Sequence, residues 1–199
     1  MLKAYYRLTK PGIIYGNLLT AIGGFLFGAQ GDINPYLLVA MSVGTSMIIA
    51  SACVFNNYID RDIDAYMART KKRALVSKQI SPTKALIFGG ALGLIGVIVL
   101  YCFTNIPTLA LGIIGFVSYV FLYTFSKRRT VYSTLIGSIS GSTPIAAGYT
   151  AATGQFDSAA LILFLIMAIW QLPHFYAIGI FRRDDYAAAG VPILSVVKG

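Results

Sequence analysis

The stretch ALIFGGALGLIGVIVLYCFT, residues 85–104, decides the fold, because its twenty residues include no charged side chain. A helix of that length rises about 30 Å, the thickness of the hydrocarbon core of a bilayer. The chain as a whole has the same character: 57% of its 199 residues are hydrophobic and 12% are charged. Its mean hydropathy is +0.73. Soluble domains carry about 25% charged residues, so the sequence predicts a protein that resides in a membrane.

Six apolar runs are long enough to cross a bilayer as helices. They predict an all-α fold, a polytopic transmembrane helix bundle, in which frequent Gly, Ala and Ser residues permit close helix packing. The predicted helices cover residues 13–30, 36–57, 85–104, 107–126, 132–151 and 158–181.

The positive charges predict the orientation of this bundle. All sixteen lysines and arginines lie in the N-terminal segment or in the segments after the second, fourth and sixth predicted helices. Cytoplasmic segments carry an excess of Lys and Arg, so we expect a cytoplasmic N-terminus and cytoplasmic loops at 58–84, 127–131 and 182–190. The net charge of +9 then reflects orientation and contact with anionic membrane lipid, and it gives no indication of nucleic-acid binding.

The carboxylates indicate chemistry at the cytoplasmic face. All seven acidic residues are aspartates, and five of them form two clusters at 60–64 and 184–185. Asn56, Asp60 and Asp64 are spaced i, i+4, i+8 and therefore share one helix face. Carboxylate and amide oxygens suit Mg²⁺, which usually binds substrate phosphates as well. Two acidic clusters among many cations thus predict a site for a magnesium diphosphate.

The alternative interpretation is a surface network in which Arg61, Arg69 and Lys72 only neutralise the aspartates. Against it stand the second acidic pair and the one-sided distribution of polar side chains within the helices. Polar groups at membrane depth usually face an interior cavity, here one suited to the apolar tail of a lipid diphosphate. The polar side chains in the cytoplasmic halves of the predicted helices are Asn17, Tyr119, Tyr123, Ser133, Gln171, His174 and Tyr176.

The Asn-x-x-x-Asp-x-x-x-Asp pattern at 56–64 resembles the first Asp-rich motif of the UbiA-type intramembrane prenyltransferases. More narrowly, the stretches at 8–20, 53–75, 127–149 and 170–199 are similar to the protoheme IX farnesyltransferase (haem O synthase) family. This resemblance implies Mg²⁺-dependent transfer of a farnesyl group from farnesyl diphosphate to a vinyl group of haem B, giving haem O for terminal oxidases.

The resemblance also assigns roles to individual residues. Asp60, Asp64 and Asp185 would be catalytic, and together with Asn56 they would bind the metal. The substrates would contact Asn56 and a further set of residues, namely Arg69, Lys72, Arg73, Lys127, Arg128, His174 and Asn17. Within this set, His174 would contact the haem iron or a propionate.

The resemblance implies location and architecture as well. We expect a multi-pass protein of the bacterial cytoplasmic (inner) membrane with its active site on the cytoplasmic face. Partners would include proteins that modify haem further or assemble terminal oxidases. The family fold has nine transmembrane helices, so residues 1–199 would form a single domain that is truncated before helices 7–9.

Three alternatives remain open from the sequence. The first is a related prenyltransferase that acts on an aromatic acid or a quinone precursor, which the motif at 56–64 does not exclude. The second is a transporter, which the interfacial position of the aspartates disfavours. The third is a non-catalytic assembly factor for a haem enzyme.

Overall fold

The computed structural model describes residues 1–198, and Gly199, the last residue of the predicted domain, lies outside the described residues. Over that range the chain is helical and has no strand, which confirms the all-α prediction. Six long helices dominate it. They are α1 (Pro11–Ala29), α2 (Pro35–Ile59), α3 (Pro82–Phe103), α4 (Ile106–Ser126), α5 (Ser133–Thr153) and α6 (Ser158–Phe181). Short helices occupy Leu2–Leu8, Arg61–Asp64, Arg183–Ala188 and Leu194–Val197.

Local sequence explains where the long helices begin. A proline stands in the first turn of α1 to α4, where a missing N–H costs nothing. Side chains of Asn34, Ser81, Asn105 and Asp157 accept backbone N–H bonds at the starts of α2, α3, α4 and α6, as N-caps do. The largest difference from the predicted bounds is at the start of α3, at Pro82 instead of residue 85.

Five of the six long helices are long and apolar enough to cross a membrane, judged by length and composition. Helix α5 is the exception, because Ser, Thr and Gly replace large apolar residues along SISGSTPIAAGYT, residues 138–150. It lies between its neighbours, with contacts to α1, α4 and α6, and much of its length is buried. A helix surrounded by other helices does not need a lipid-soluble surface.

Glycines bring α1 and α5 into backbone contact. A Cβ atom at Gly24 would lie 2.0 Å from the carbonyl oxygen of Ile145, and one at Gly148 would lie 1.8 Å from that of Ala21. Neither position has room for any side chain. The contact therefore depends on glycine at both positions, which is a common device in membrane helix bundles.

The segment between α2 and α3 folds back onto the bundle. Its residues Ala74, Leu75 and Ile80 form a buried cluster with Leu8 and with Val54 of α2. Asn57 of α2 donates a hydrogen bond from Nδ2 to the Leu8 carbonyl oxygen at 2.8 Å. These contacts fix the N-terminal segment and the loop beside the C-terminal end of α2, which is its predicted cytoplasmic end.

We predict that Gly24→Ala destabilises the bundle by about 1–3 kcal/mol, the usual cost of overpacking a tight contact. Gly23→Ala is the matched control, because a Cβ atom there has no neighbour within 4 Å. Thermal unfolding of both variants in detergent measures the difference. Equal melting temperatures for the two variants would contradict the proposed dependence of the α1–α5 contact on glycine.

Candidate active site

Asn56, Asp60 and Asp64 form a buried row of oxygen ligands at the end of α2. Asn56 lies in its last turn, Asp60 is its C-cap, and Asp64 ends the short helix after it. Their exposed fractions are 2%, 1% and 1%, and Asn56 Nδ2 donates to Asp60 Oδ2 at 2.8 Å. Buried carboxylates at a helix C-terminus oppose the macrodipole and are costly unless cations pair with them.

Cations from separate segments meet this row. Lys127 Nζ binds Asp60 Oδ2, and Arg128 Nη2 lies 3.4 Å from Asp60 Oδ1. Arg73 Nη1 donates to Asp64 Oδ2 at 2.5 Å. The structure thus brings Arg73, Lys127 and Arg128 to the row, where they pair with its carboxylates.

Lys10 completes the cationic shell, and it was absent from the residues selected by sequence. Its Nζ donates to Asn56 Oδ1 and lies 3.5 Å from the Tyr119 hydroxyl. The backbone of Lys10 is left-handed, with φ 53° and ψ 65°, and burial lowers its pKa to about 8. The sequence feature that could have identified Lys10 is its position directly before the proline at the start of the first apolar run.

The row adjoins a large apolar cavity. The cavity measures about 960 Å³ and is lined by α1, α2, α4, α5 and α6. Lys127 lines it together with Tyr119 and Tyr123, whose rings stack with centroids 5.6 Å apart. Lys127 Nζ lies 5.7 Å from the centre of the Tyr123 ring. Burial lowers the pKa of Lys127, while Asp60 opposes that shift. The aspartates themselves lie behind this layer.

Another part of the cavity wall carries polar residues of α6. His174 stacks on Trp170 with ring centroids 5.5 Å apart and planes inclined by 15°. Gln171 donates from Nε2 to Ser142 Oγ of α5 at 3.1 Å. Asn17 also lines the cavity, and its Nδ2 donates to the Ile13 carbonyl oxygen. His174 and Asn17 thus face the same space as Lys127.

Other predicted residues lie apart from the row. Asp185 Oδ1 accepts the backbone N–H of Ala68 at 3.0 Å, which links the second acidic cluster to the loop after α2. Arg69 and Lys72 are exposed on that loop. Among residues 1–198 no group of three or more His, Cys, Asp and Glu side chains is arranged to hold a metal ion. The structure therefore does not bring Asp185 into one cluster with Asp60 and Asp64.

The cations that pair with the aspartates also differ from those expected in the surface-network interpretation of the sequence. Arg61 stacks on the Tyr58 ring at 4.3 Å and donates to the Tyr58 carbonyl oxygen. Asp62 is exposed and pairs with Arg128 at 2.7 Å. That ion pair lowers the pKa of Asp62 and raises that of Arg128. Asp62 therefore belongs to the surface, whereas Asp60 and Asp64 belong to the interior.

The row has the donor chemistry of a magnesium site. Two carboxylates and one amide oxygen are the hard ligands that Mg²⁺ prefers. Lys10 Nζ binds the Asn56 amide oxygen and Lys127 Nζ binds the Asp60 carboxylate. These two ammonium groups supply positive charge where a metal ion would supply it. The chemistry of these donors thus fits Mg²⁺, which Asn56, Asp60 and Asp64 would hold.

Comparison with known proteins places the chain in a family. The profile of the UbiA prenyltransferase family matches residues 17–199. A protoheme IX farnesyltransferase of Yersinia pseudotuberculosis serotype O:1b (strain IP 31758) is 54% identical over 200 residues, covering 100% of this chain and 68% of that protein. The protoheme IX farnesyltransferase of Photorhabdus laumondii subsp. laumondii has the same identity and coverage.

Solved structures share the fold. A UbiA homologue from Archaeoglobus fulgidus, bound to GPP and Mg²⁺, superposes with a TM-score of 0.82 at 18% identity, covering 98% of this chain and 69% of that one. The apo structure of a UbiA homologue from Aeropyrum pernix K1 gives a TM-score of 0.75 at 20% identity, with coverage of 95% and 70%. The profile match and the sequence identities show that the chain belongs to the UbiA prenyltransferase family, and within it to the protoheme IX farnesyltransferases.

Proposed function

We propose that this chain transfers a farnesyl group from farnesyl diphosphate to a vinyl group of haem B, giving haem O, in a Mg²⁺-dependent reaction. One observation carries the proposal: a buried row of oxygen ligands covered by cations borders a 960 Å³ apolar cavity. A diphosphate needs the charged end of this site, and a prenyl chain needs the apolar end. The 54% identity to protoheme IX farnesyltransferases supports haem B as the acceptor.

The charged residues have two different roles at the diphosphate, metal binding and phosphate binding. Asn56, Asp60 and Asp64 would hold Mg²⁺, which when bound neutralises and orients the diphosphate oxygens. Lys10, Arg73, Lys127 and Arg128 would bind the remaining phosphate charge. Asp185, with Arg69 and Lys72 on the exposed loop, would join this site in the substrate complex.

The reaction breaks the bond between the allylic carbon and the diphosphate oxygen. Cations placed at the leaving group stabilise the negative charge that develops there, so positive charge develops at the allylic carbon. The terminal vinyl carbon then attacks and forms the new carbon–carbon bond. The positive charge left on the adjacent carbon is removed when a water molecule adds there and releases a proton, or when the cation itself loses a proton. Tyr119 and Tyr123 line the cavity beside Lys127, where the allylic carbon would lie.

The acceptor would lie against α6. His174 and Trp170 form a parallel aromatic pair on the cavity wall, which suits the flat face of a porphyrin. Neutral imidazole is a common iron ligand, so we assign His174 to the haem iron or a propionate. Asn17, on the facing helix α1, would contact the substrates from the other side.

The proposed orientation of the protein rests on its charge distribution. The cation-rich segments favour a cytoplasmic N-terminus and an active site on the cytoplasmic side of a bacterial inner membrane. Farnesyl diphosphate would enter from that side. Haem O would pass to proteins that modify it further or that assemble terminal oxidases.

A transfer assay tests the proposed function. Membranes containing the chain, and membranes containing a version extended to the full length of its relatives, receive haem B, farnesyl diphosphate and Mg²⁺. We expect farnesylated haem that disappears with EDTA. Prenylation of an aromatic acid or a quinone precursor, instead of haem, would indicate the related prenyltransferase activity. Haem binding without any product from either version would indicate an assembly factor.

We predict that Asp60→Asn and Asp64→Asn each abolish transfer, because each removes a charged ligand from the buried row. Asp62→Asn is the matched control within the same motif, since Asp62 faces the surface and pairs with Arg128. Product formed per folded protein is the measurement. Full activity in either of the first two variants would contradict the metal assignment.

We predict that Lys10→Met raises the KM for farnesyl diphosphate by about tenfold, which corresponds to one charge-assisted hydrogen bond. Lys3→Met is the control, because Lys3 is an exposed cation at the same end of the chain. Initial rates over a range of farnesyl diphosphate concentrations measure the effect. An unchanged KM would exclude Lys10 from the diphosphate site.

We predict that His174→Ala changes the absorption spectrum of ferric haem bound to the purified protein. When His174 binds the iron rather than a propionate, loss of the imidazole changes the Soret band. Added imidazole should restore the wild-type spectrum by occupying the vacated position. A spectrum that is identical in the wild type and the variant would show that His174 does not bind the iron.

A further inference from the structure

Thr124 connects the oxygen row to an irregular segment of α4. Its side chain is fully buried, with 0% exposure, and it does not line the cavity. The hydroxyl donates to the Tyr119 carbonyl oxygen at 2.8 Å. The same oxygen accepts a hydrogen bond from Asn56 Nδ2 at 2.9 Å. Thr124 therefore touches the Asn56 side chain without reaching the space that substrates would occupy.

The backbone explains how Thr124 reaches Asn56. Residues Ser118–Tyr123 form a π-helical segment, in which the backbone N–H of Thr124 bonds to the carbonyl of Tyr119, five residues earlier, and to that of Phe121. Each such insertion adds one residue and rotates the remainder of the helix by about 100°. The insertion therefore sets which side chain of the last turn of α4 faces α2, and that side chain is Thr124.

The bonding pattern fixes the polarity of the Asn56 amide. A backbone carbonyl only accepts hydrogen bonds, so the Thr124 hydroxyl must give its proton to Tyr119. Its oxygen must then accept from the amide nitrogen of Asn56, whose second N–H goes to Asp60 Oδ2. Both amide protons are thus used inside the protein. Asn56 Oδ1 is left facing Lys10, on the side that the cations cover.

We propose that Thr124 is a positioning residue, which holds the amide oxygen of Asn56 in place for the magnesium diphosphate. The inference rests on the proposed function only in taking Asn56 as a ligand. Without the Thr124 hydroxyl, a buried amide N–H lacks its acceptor. Because buried donors seldom stay unpaired, the Asn56 amide then turns toward another acceptor and its oxygen leaves the row.

The test compares Thr124→Val, which has the same shape but no hydroxyl, with Thr124→Ser, which keeps the hydroxyl. Thr104→Val is the matched control, because the Thr104 hydroxyl makes a similar bond to a backbone carbonyl, that of Leu100, and has no second hydrogen bond within residues 1–198. The first readout is binding without turnover. It is the rise in melting temperature caused by Mg²⁺ in the presence of inorganic pyrophosphate, which reports ligand affinity.

We expect Thr124→Val to need about tenfold more Mg²⁺ for half of that rise, which corresponds to the loss of one well-placed ligand contact. Thr124→Ser and Thr104→Val should match the wild type. In the transfer assay, the KM for farnesyl diphosphate should rise in Thr124→Val by a similar factor. A purely structural role would instead lower the melting temperature without ligand and leave the Mg²⁺ requirement unchanged, and that result would overturn the proposal.

A double-mutant comparison separates this inference from the proposed function. In an Asn56→Ala background, Thr124→Val should have no further effect on the Mg²⁺ requirement, whereas independent effects would contradict the coupling. If Thr124→Val yields no folded protein, Thr124→Ala against Thr124→Ser provides the same comparison, and equal Mg²⁺ requirements would overturn the proposal. A wild type that forms no product with any acceptor, yet still binds Mg²⁺ and pyrophosphate, would disprove the activity and leave the role of Thr124 measurable.

Discussion

Two buried carboxylates at the C-terminal end of α2 are the constraint on which the site depends. Asp60 and Asp64 are 1% exposed, and a buried charge is tolerated only when it is paired and hydrogen-bonded. The loop after α2 and the segment after α4 supply the cations that pair with them, and the N-terminal segment supplies Lys10 to the adjacent Asn56. Breaking a buried pair costs more than the pair contributes. The negative charge therefore brings three distant parts of the chain to one place.

The bundle separates this charge from the apolar space beside it. Lys127 and the stacked pair Tyr119–Tyr123 lie between the aspartates and the cavity, so the boundary consists of side chains with one polar and one apolar end. Such residues suit an interface between water-like and lipid-like surroundings. A substrate with a charged head and a prenyl tail would place its head on the charged side of this boundary and its tail on the apolar side. The polar helix α5 contributes to the cavity without facing lipid, because its neighbours cover it.

Much of the fold could be predicted from sequence, because each physical signal was local. Long apolar runs predict helices, and spacing of i, i+4, i+8 places Asn56, Asp60 and Asp64 on one face. The ion pairs of the row were only partly predictable, since they join residues 9 and 67 positions apart. Lys10 lies 46 positions from Asn56, and no local pattern connects them. The π-helical segment in α4 was also missed, because an inserted residue leaves no signature in an apolar run.

Asp185 shows a different limit of sequence reasoning. Its position beside Asp184 and two arginines suggests a metal ligand, yet its carboxylate accepts the backbone N–H of Ala68. A backbone partner cannot be deduced from side-chain patterns. The contact nevertheless joins the two acidic segments on one side of the bundle.

The balance of charge in the row bears on the order of binding. Asp60 and Asp64 contribute two negative charges, and Lys10, Arg73 and Lys127 contribute three positive ones, while Arg128 is shared with Asp62. The row thus carries a surplus of one positive charge, which disfavours the entry of free Mg²⁺. An ionised alkyl diphosphate carries a charge of about −3, because phosphate groups lose their last proton near pH 6. With one Mg²⁺ the complex carries about −1, which matches the surplus. On the proposed function, this balance favours metal and diphosphate binding together, since each alone would leave unpaired charge in a buried place.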